Sequence, residues 1–208
     1  KMLKINIKKY FIMKKIIIVG AGAMGSAFAV PCIENKNDVT LIGTHLENDL
    51  INNIKSNNNL YPALNIELPS KLKVEKFEKL KPILDEGVDI IVAGVSSIGI
   101  EWFVHQIAKN YKKNLPIILL TKGLAIEENE LITLSDKIKK ILREKGHTEI
   151  NVSAIKGPCL AAGLANKMRT GTVIANPNIK ETELLKKIIS TDYYSTEISD
   201  DLTGVELA

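Results

Sequence analysis

Short apolar runs alternate with longer amphipathic segments along the chain. The runs are rich in β-branched residues and have glycine or proline near their ends, which is typical of strands buried on both faces of a parallel sheet. They cover Lys15 to Val19, Asp38 to Ile42, Asp89 to Val95, Pro116 to Leu120 and Ile150 to Ile155. We therefore predict an α/β fold, a mostly parallel sheet with helices on both of its faces.

The segments between these runs carry apolar residues at helical spacing. A helix is predicted from Ala23 to Glu34, and a longer one from Glu127 to Lys145. The longer helix would hold its apolar side chains on one face, namely Leu131, Leu134, Ile138, Ile141 and Leu142. Two prolines predict that Leu60 to Ser70 is a loop.

Three glycines follow the first strand at the spacing of a dinucleotide-binding turn. Gly20, Gly22 and Gly25 stand in the order G-x-G-x-x-G. Gly20 permits the tight turn, Gly22 lets a pyrophosphate approach the backbone, and Gly25 lets the following helix pack closely on the strand. The helix that begins near Ala23 would direct its free N–H groups at the phosphates. The sheet is therefore predicted to be of the Rossmann type.

The same stretch has a rival interpretation as a secretory signal. Residues 16–33 carry no charge, follow Lys14 and Lys15, and contain small residues that resemble a cleavage site. However, the glycines and Pro31 make a poor apolar helix, and a charged βα pattern resumes directly afterwards. We therefore favour the strand, turn and helix.

Composition and charge narrow the class of protein. The 208 residues carry a formal charge of +4, from 28 Lys and Arg against 24 Asp and Glu, and these are spread along the chain. A nucleic-acid partner is therefore not expected. Cys32 and Cys159 lie far apart and have no metal-ligand spacing, which favours reduced thiols and no metal site. With no membrane span expected either, we predict a cytoplasmic protein.

The predicted carboxyl ends of the strands carry the remaining candidate chemistry. Lys122 follows a fully apolar strand and precedes a glycine, where its ammonium could bind a phosphate or a developing alkoxide. At the end of the second strand, Thr44 and His45 replace the acidic residue expected for NAD and the arginine expected for NADP. The choice between the two cofactors therefore stays open.

Four blocks in order resemble the NAD(P)-dependent glycerol-3-phosphate dehydrogenases. Residues 20–27 are similar to the GAGxxGxA turn of that family, 121–124 to its KG block, and 157–161 to its GPSxA block. Residues 199–207 resemble the segment that opens its C-terminal helical domain. Cys159 stands where the family usually has Ser, and Gly163 where it usually has Glu.

The resemblance implies a cofactor, a substrate and a reaction. NAD or NADP would be bound by the glycine turn and by two later blocks. Thr44 is included because it lies at the end of the second strand. The predicted cofactor-binding residues are Gly20, Gly22, Ala23, Met24, Gly25, Thr44, Lys122 and Ala161. The substrate set is Lys122, Gly157 and Cys159. Lys122 is the candidate catalytic residue, as a clamp on substrate and cofactor. The reaction would be the reduction of dihydroxyacetone phosphate to sn-glycerol 3-phosphate.

The expected domain organisation follows from the same blocks. Residues 1–12 are predicted to be an extension, with Met2 and Met13 as alternative native starts, 13–198 the nucleotide-binding domain, and 199–208 the start of the helical domain. The general acid/base lysine of the family would lie beyond Ala208. The chain is therefore interpreted as a fragment that binds nucleotide without turnover, and a homodimer is a candidate assembly of the full-length protein.

Two other functions remain open on the sequence alone. Another dehydrogenase of the same sheet type, such as a ketopantoate or 6-phosphogluconate reductase, fits the later blocks less well. A nucleotide-sensing module without catalysis would share the glycine turn and lack turnover in the physiological product.

Overall fold

Residues 13–208 are described by a computed structural model, and the predicted extension at 1–12 lies outside them. The strands are β1 Lys15–Val19, β2 Asp38–Ile42, β3 Leu60–Tyr61, β4 Ile66–Glu67, β5 Lys73–Glu75, β6 Ile90–Ala93, β7 Pro116–Leu119, β8 Leu124–Glu127, β9 Glu130–Thr133, β10 Asn151–Lys156, β11 Thr170–Ala175 and β12 Tyr194–Ser199. The helices are α1 Ala23–Glu34, α2 Asn48–Ser56, α3 Leu80–Glu86, α4 Gly99–Ala108, α5 Leu134–Glu144, α6 Ala161–Ala165, α7 Ile179–Ile189 and α8 Leu202–Leu207. A 3-10 turn at Phe77–Lys79 precedes α3.

One eight-stranded sheet organises the fold, in the order β12-β11-β10-β7-β6-β1-β2-β5. The strands from β10 to β5 run parallel, with β1 between β2 and β6. β11 runs antiparallel to β10 and parallel to β12. The predicted Rossmann-type, mostly parallel sheet is therefore confirmed, with one reversal that the sequence pattern did not reveal.

Helices cover both faces of this sheet, as predicted. Along β1, alternate residues enter opposite hydrophobic clusters, Ile16 and Ile18 on one face and Ile17 and Val19 on the other. The first cluster includes residues of α1, α2, α6 and α7, and the second includes residues of α3, α4 and α5. Because both faces of β1 are buried, its sequence is continuously apolar. The stretch considered as a secretory signal is thus this strand and most of a buried helix.

The prediction of one helix from Glu127 to Lys145 was wrong over its first seven residues. A hairpin, β8 and β9, occupies residues 124–133, and the helix begins at Leu134. Glu128 and Asn129 form its turn with φ of 50° and 68°, which a helix does not allow. Leu131, expected on the buried face, has 70% of its surface exposed. A second hairpin, β3 and β4, lies within the segment predicted to be a loop.

None of the helices within residues 13–208 has the length and apolar character that a membrane crossing requires.

Candidate functional site

The loops predicted to carry chemistry lie along one edge of the sheet. β1, β2, β6, β7 and β10 are parallel neighbours, so their carboxyl ends all point to this edge. Following these ends are the glycine turn after β1, the segment 43–47 after β2, Gly94 after β6, the loop 121–123 after β7, and the loop 157–160 after β10. This is the edge at which open α/β sheets bind ligands.

The glycine turn is shaped by close backbone packing at two of its three glycines. Gly20 has φ of +108°, and a Cβ on it would lie 2.6 Å from the carbonyl carbon of Gly94. A Cβ on Gly25 would collide with the carbonyl oxygen of Gly20. The fold therefore excludes side chains at both positions, for the tight turn and the close helix packing that the sequence predicted.

Gly22 differs from the other two, because the fold itself does not demand a glycine there. Its φ is −62°, and a Cβ would have the Gly94 carbonyl oxygen as its nearest neighbour, at 3.9 Å. The space beside this backbone is thus open. A ligand approaching the turn would use that space, which fits the role predicted for Gly22.

The N terminus of α1 presents free N–H groups at the same place. Gly22 is the N-cap residue and has no side chain to cap the helix, while the first intrahelical bond runs from Ser26 N–H to the Gly22 carbonyl. Within residues 13–208, the N–H groups of Ala23 and Met24 have no acceptor outside the helix. Donors of this kind at a helix N terminus suit the pyrophosphate of a dinucleotide.

Gly94 is a part of the turn that the sequence analysis missed. It follows the buried strand β6, and its N–H donates to the carbonyl of Val19 at 2.8 Å. A Cβ on Gly94 would lie 2.9 Å from the carbonyl oxygen of Gly20 and 3.2 Å from the Cα of Gly25. The only sequence signal was a glycine at the end of an apolar run, which many strands share.

Glu47 supplies a carboxylate at the end of β2 that was not expected there. Its Oε2 accepts hydrogen bonds from the N–H of Ala21 at 3.0 Å and from the N–H of Thr44 at 2.7 Å. The predicted contact Thr44 therefore lies beside the glycine turn, as its place in the sequence suggested. Glu47 stands five residues past Ile42, the last residue of β2, and so beyond the strand end at which an acidic residue was expected.

An aromatic cluster includes His45, which lies two residues before Glu47 in the chain. The ring of Trp102 lies 5.1 Å from that of His45 and 5.2 Å from that of Phe77, measured between centroids. His45 follows β2, Phe77 follows β5, and Trp102 belongs to the first turn of α4. The exposed ring of His45 gives this edge of the site an aromatic surface suited to a purine base.

Two lysines bridge the ends of β7 and β10 reciprocally. Lys122 Nζ donates to the carbonyl of Gly157 at 2.8 Å, and Lys156 Nζ donates to the carbonyl of Thr121. Both side chains line a cavity of about 650 Å³, together with Glu206 of α8. The structure thus brings together the predicted residues Lys122 and Gly157, and adds a second ammonium beside them.

Lys156 is the residue of this pair that sequence reasoning passed over. Its side chain is buried, and burial lowers its pKa to about 8, while the carboxylate of Glu206 acts to raise the pKa and the ammonium of Lys122 to lower it. Its signal was a charged residue directly after a predicted strand. A buried ammonium at the edge of a cavity favours anionic ligands.

The remaining predicted residues lie nearby. Met24 and Cys159 line a small cavity together with both lysines, and Ala161, the first residue of α6, packs against the same hydrophobic cluster as Met24. Burial raises the pKa of the Cys159 thiol, which keeps the thiol protonated and argues against a nucleophile. The specific roles assigned to these residues stay predictions.

The parallel sheet, the glycine turn on β1 and the open helix N terminus define the chain as a Rossmann-type protein. The model of the family described as NAD-dependent glycerol-3-phosphate dehydrogenase N-terminus matches residues 15–182. The chain belongs to this family, and the resemblance seen in the sequence is confirmed.

Curated relatives and solved structures agree with this assignment. An NADP(+)-dependent glycerol-3-phosphate dehydrogenase of Archaeoglobus fulgidus is 32% identical over 197 residues, covering 92% of this chain and 55% of that protein. A glycerol-3-phosphate dehydrogenase [NAD(P)+] of Mesoplasma florum is 30% identical over 198 residues, covering 94% of this chain and 56% of that protein. The crystal structure of the Coxiella burnetii glycerol-3-phosphate dehydrogenase superposes with a TM-score of 0.80 at 25% identity. The match covers 94% of this chain and 56% of that chain.

The chain spans about half the length of the relatives it matches, at 55% and 56% of the first two. A ketopantoate reductase structure from Ralstonia eutropha shares only the fold, with a TM-score of 0.62 at 18% identity. The family match therefore favours the glycerol-3-phosphate dehydrogenases over the alternative reductases.

Proposed function

We propose that this chain is the nucleotide-binding part of an oxidoreductase that uses NAD(H) or NADP(H) to interconvert dihydroxyacetone phosphate and sn-glycerol 3-phosphate. The observation that carries the proposal is that one sheet edge joins an open dinucleotide turn to two lysines beside a cavity. Membership of the family supports dihydroxyacetone phosphate and sn-glycerol 3-phosphate as the substrate pair.

The turn would hold the phosphates of the cofactor. The open backbone at Gly22 and the N–H groups of Ala23 and Met24 offer hydrogen bonds and the positive end of the α1 dipole. Gly20 and Gly25 allow that backbone to pack closely, because a side chain at either position would collide with neighbouring backbone atoms. Thr44 and the aromatic surface beside it would contact the adenosine.

The lysine pair would bind the anionic substrate and stabilise the charge on its oxygen. When bound, the cofactor supplies or accepts the hydride at C2 of the substrate. Lys122 is exposed and has N–H groups beyond the one given to Gly157, so it can donate to the phosphate or to the C2 oxygen. Lys156 adds positive charge from a buried position, and Gly157, Cys159 and Ala161 would form the wall beside them.

Substitution at Gly22 tests the cofactor half of this proposal. Because a Cβ at Gly22 meets open space, Gly22→Val should fold like the parent, yet its side chain fills the place of the phosphates. We expect the affinity for NADH and NADPH, measured by nicotinamide fluorescence, to fall at least about tenfold.

The control is Gly146→Asn, in a turn after α5 where nothing lies within 4 Å of an added Cβ; the φ of 89° strains the new side chain, and asparagine is among the residues most often found at positive φ. It should bind nucleotide like the parent. Unchanged binding by a folded Gly22→Val variant would contradict the proposed site.

A further inference from the structure

The carboxylate of Glu47 links the glycine turn after β1 to the segment that follows β2. It joins the N–H of Ala21, in the glycine turn, to the N–H of Thr44, at the end of β2, through the single atom Oε2. In a Rossmann-type site the adenosine ribose lies between these two segments, and its 2′ position carries either a hydroxyl or a phosphate. Glu47 thus lies between the two segments that flank the ribose in sites of this type.

The local backbone explains how a residue so far past the strand reaches this point. The Gly20 N–H donates to the Ile42 carbonyl at 2.8 Å, which holds the glycine turn against the end of β2. The Glu47 N–H donates to the Thr44 carbonyl at 3.0 Å, so the chain turns back on itself before α2. A side chain at Gly43 would meet Ile51 of α2 at 2.6 Å, so glycine lets this turn lie close.

The charge of Glu47 is not neutralised by a neighbouring cation. Within residues 13–208 it forms no ion pair, and its Oε1 accepts no hydrogen bond. Tyr61 lies close enough for the Glu47 charge to act on it: its pKa is raised by burial and by that charge. Oε1 is therefore available to accept a hydrogen bond from a ribose hydroxyl.

We propose that Glu47 is the specificity-determining residue of the cofactor site and makes the chain select NAD(H) over NADP(H). A carboxylate accepts the 2′-hydroxyl of the ribose, whereas it repels a 2′-phosphate. It also takes up the Thr44 N–H, a backbone donor that such a phosphate would otherwise use. The Archaeoglobus fulgidus relative is named NADP(+)-dependent, so the inference separates this chain from that protein.

This inference rests on the proposed function and is tested by binding rather than turnover. The 208-residue chain is titrated with NADH and with NADPH, and binding is followed by nicotinamide fluorescence and by quenching of Trp102, the only tryptophan of the chain. We expect NADH to bind at least about tenfold more tightly than NADPH. For Glu47→Gln, which keeps the shape and removes the charge, we expect the ratio to fall below about threefold.

The matched control is Glu67→Gln, an exposed glutamate in β4, which should keep the parental ratio. Equal or tighter binding of NADPH by the parent, or an unchanged ratio in Glu47→Gln, overturns the role of Glu47 and leaves the proposed function intact. Should Glu47→Gln fail to fold, competition of ADP-ribose and 2′-phospho-ADP-ribose against NADH on the parent measures its preference for a 2′-hydroxyl over a 2′-phosphate. Binding of neither nucleotide by a folded chain contradicts the proposed function itself, and this inference with it.

Discussion

At the scale of single residues, Lys156 carries the clearest consequence for stability. Its pKa is lowered from 10.5 in the unfolded chain to about 8 in the fold, first by burial and also by the nearby ammonium of Lys122. Between these two pH values the unfolded state binds more protons than the folded state, so the free energy of unfolding rises with pH. Below pH 8 both states are protonated and the full cost of burying the ammonium is present.

We predict that Lys156→Met abolishes this rise. From pH 8 to pH 10 the free energy of unfolding of the parent should rise by up to about 2 kcal/mol relative to that of the variant. Each pH unit in this window contributes at most about 1.4 kcal/mol. Urea denaturation of both proteins at several pH values gives the difference. Titrations of groups that do not interact with Lys156 cancel in that difference, so parallel pH profiles would show that Lys156 is not buried as a charge.

Some residues of the candidate site could be predicted from the sequence, and others could not. Gly20, Gly22 and Gly25 were found because their spacing is local and each has its own physical reason. Glu47 and Lys156 were missed because their importance depends on a neighbouring strand: Glu47 reaches the turn after β1, and Lys156 reaches the loop after β7. No spacing along the chain reveals such contacts before the order of the strands is known.

At the scale of elements, the start of α5 shows the limit of periodicity. Leu131, Leu134 and Ile138 continue one helical pattern across the boundary, yet the first of them belongs to β9. The boundary is set by the turn at Glu128 and Asn129 and by the Thr133 side chain, which accepts a hydrogen bond from Asp136 N–H at 3.1 Å. By contrast, β1, α1 and β2 were predicted with the observed bounds, because glycines and charged residues delimit them.

Thr133→Ala distinguishes the two descriptions of this segment by the sign of its effect. As the N-cap of α5, Thr133 stabilises the helix, and its loss should cost about 1 kcal/mol. In the interior of a helix from Glu127, the same change to alanine would stabilise the protein. Urea denaturation measures the difference, with exposed Thr148→Ala as the control. A Thr133→Ala variant at least as stable as that control would contradict the hairpin.

At the scale of the whole molecule, binding and turnover are predicted to separate. The candidate nucleotide-binding loops lie along one edge of the sheet, whereas the chain spans about half the length of its curated relatives. In the resemblance to the family, the general acid/base lysine falls beyond Ala208.

We therefore predict that the 208-residue polypeptide binds NADH and reduces dihydroxyacetone phosphate at least about 10²-fold more slowly than a full-length relative, because proton transfer contributes about 10²–10⁴-fold. A steady-state assay beside the Mesoplasma florum enzyme measures this ratio. Turnover near the rate of that enzyme would contradict the prediction and would show that the proton donor lies within residues 1–208.

The contact among Gly20, Gly25 and Gly94 has an evolutionary consequence. The Gly20 carbonyl oxygen lies against both other glycines, so a methyl group on either would push the same atom. Once that oxygen has moved, a second methyl meets a neighbour already displaced, and the two costs do not add. Gly25 and Gly94 are therefore epistatic: a lineage that loses both glycines by single steps meets its largest barrier at the first one.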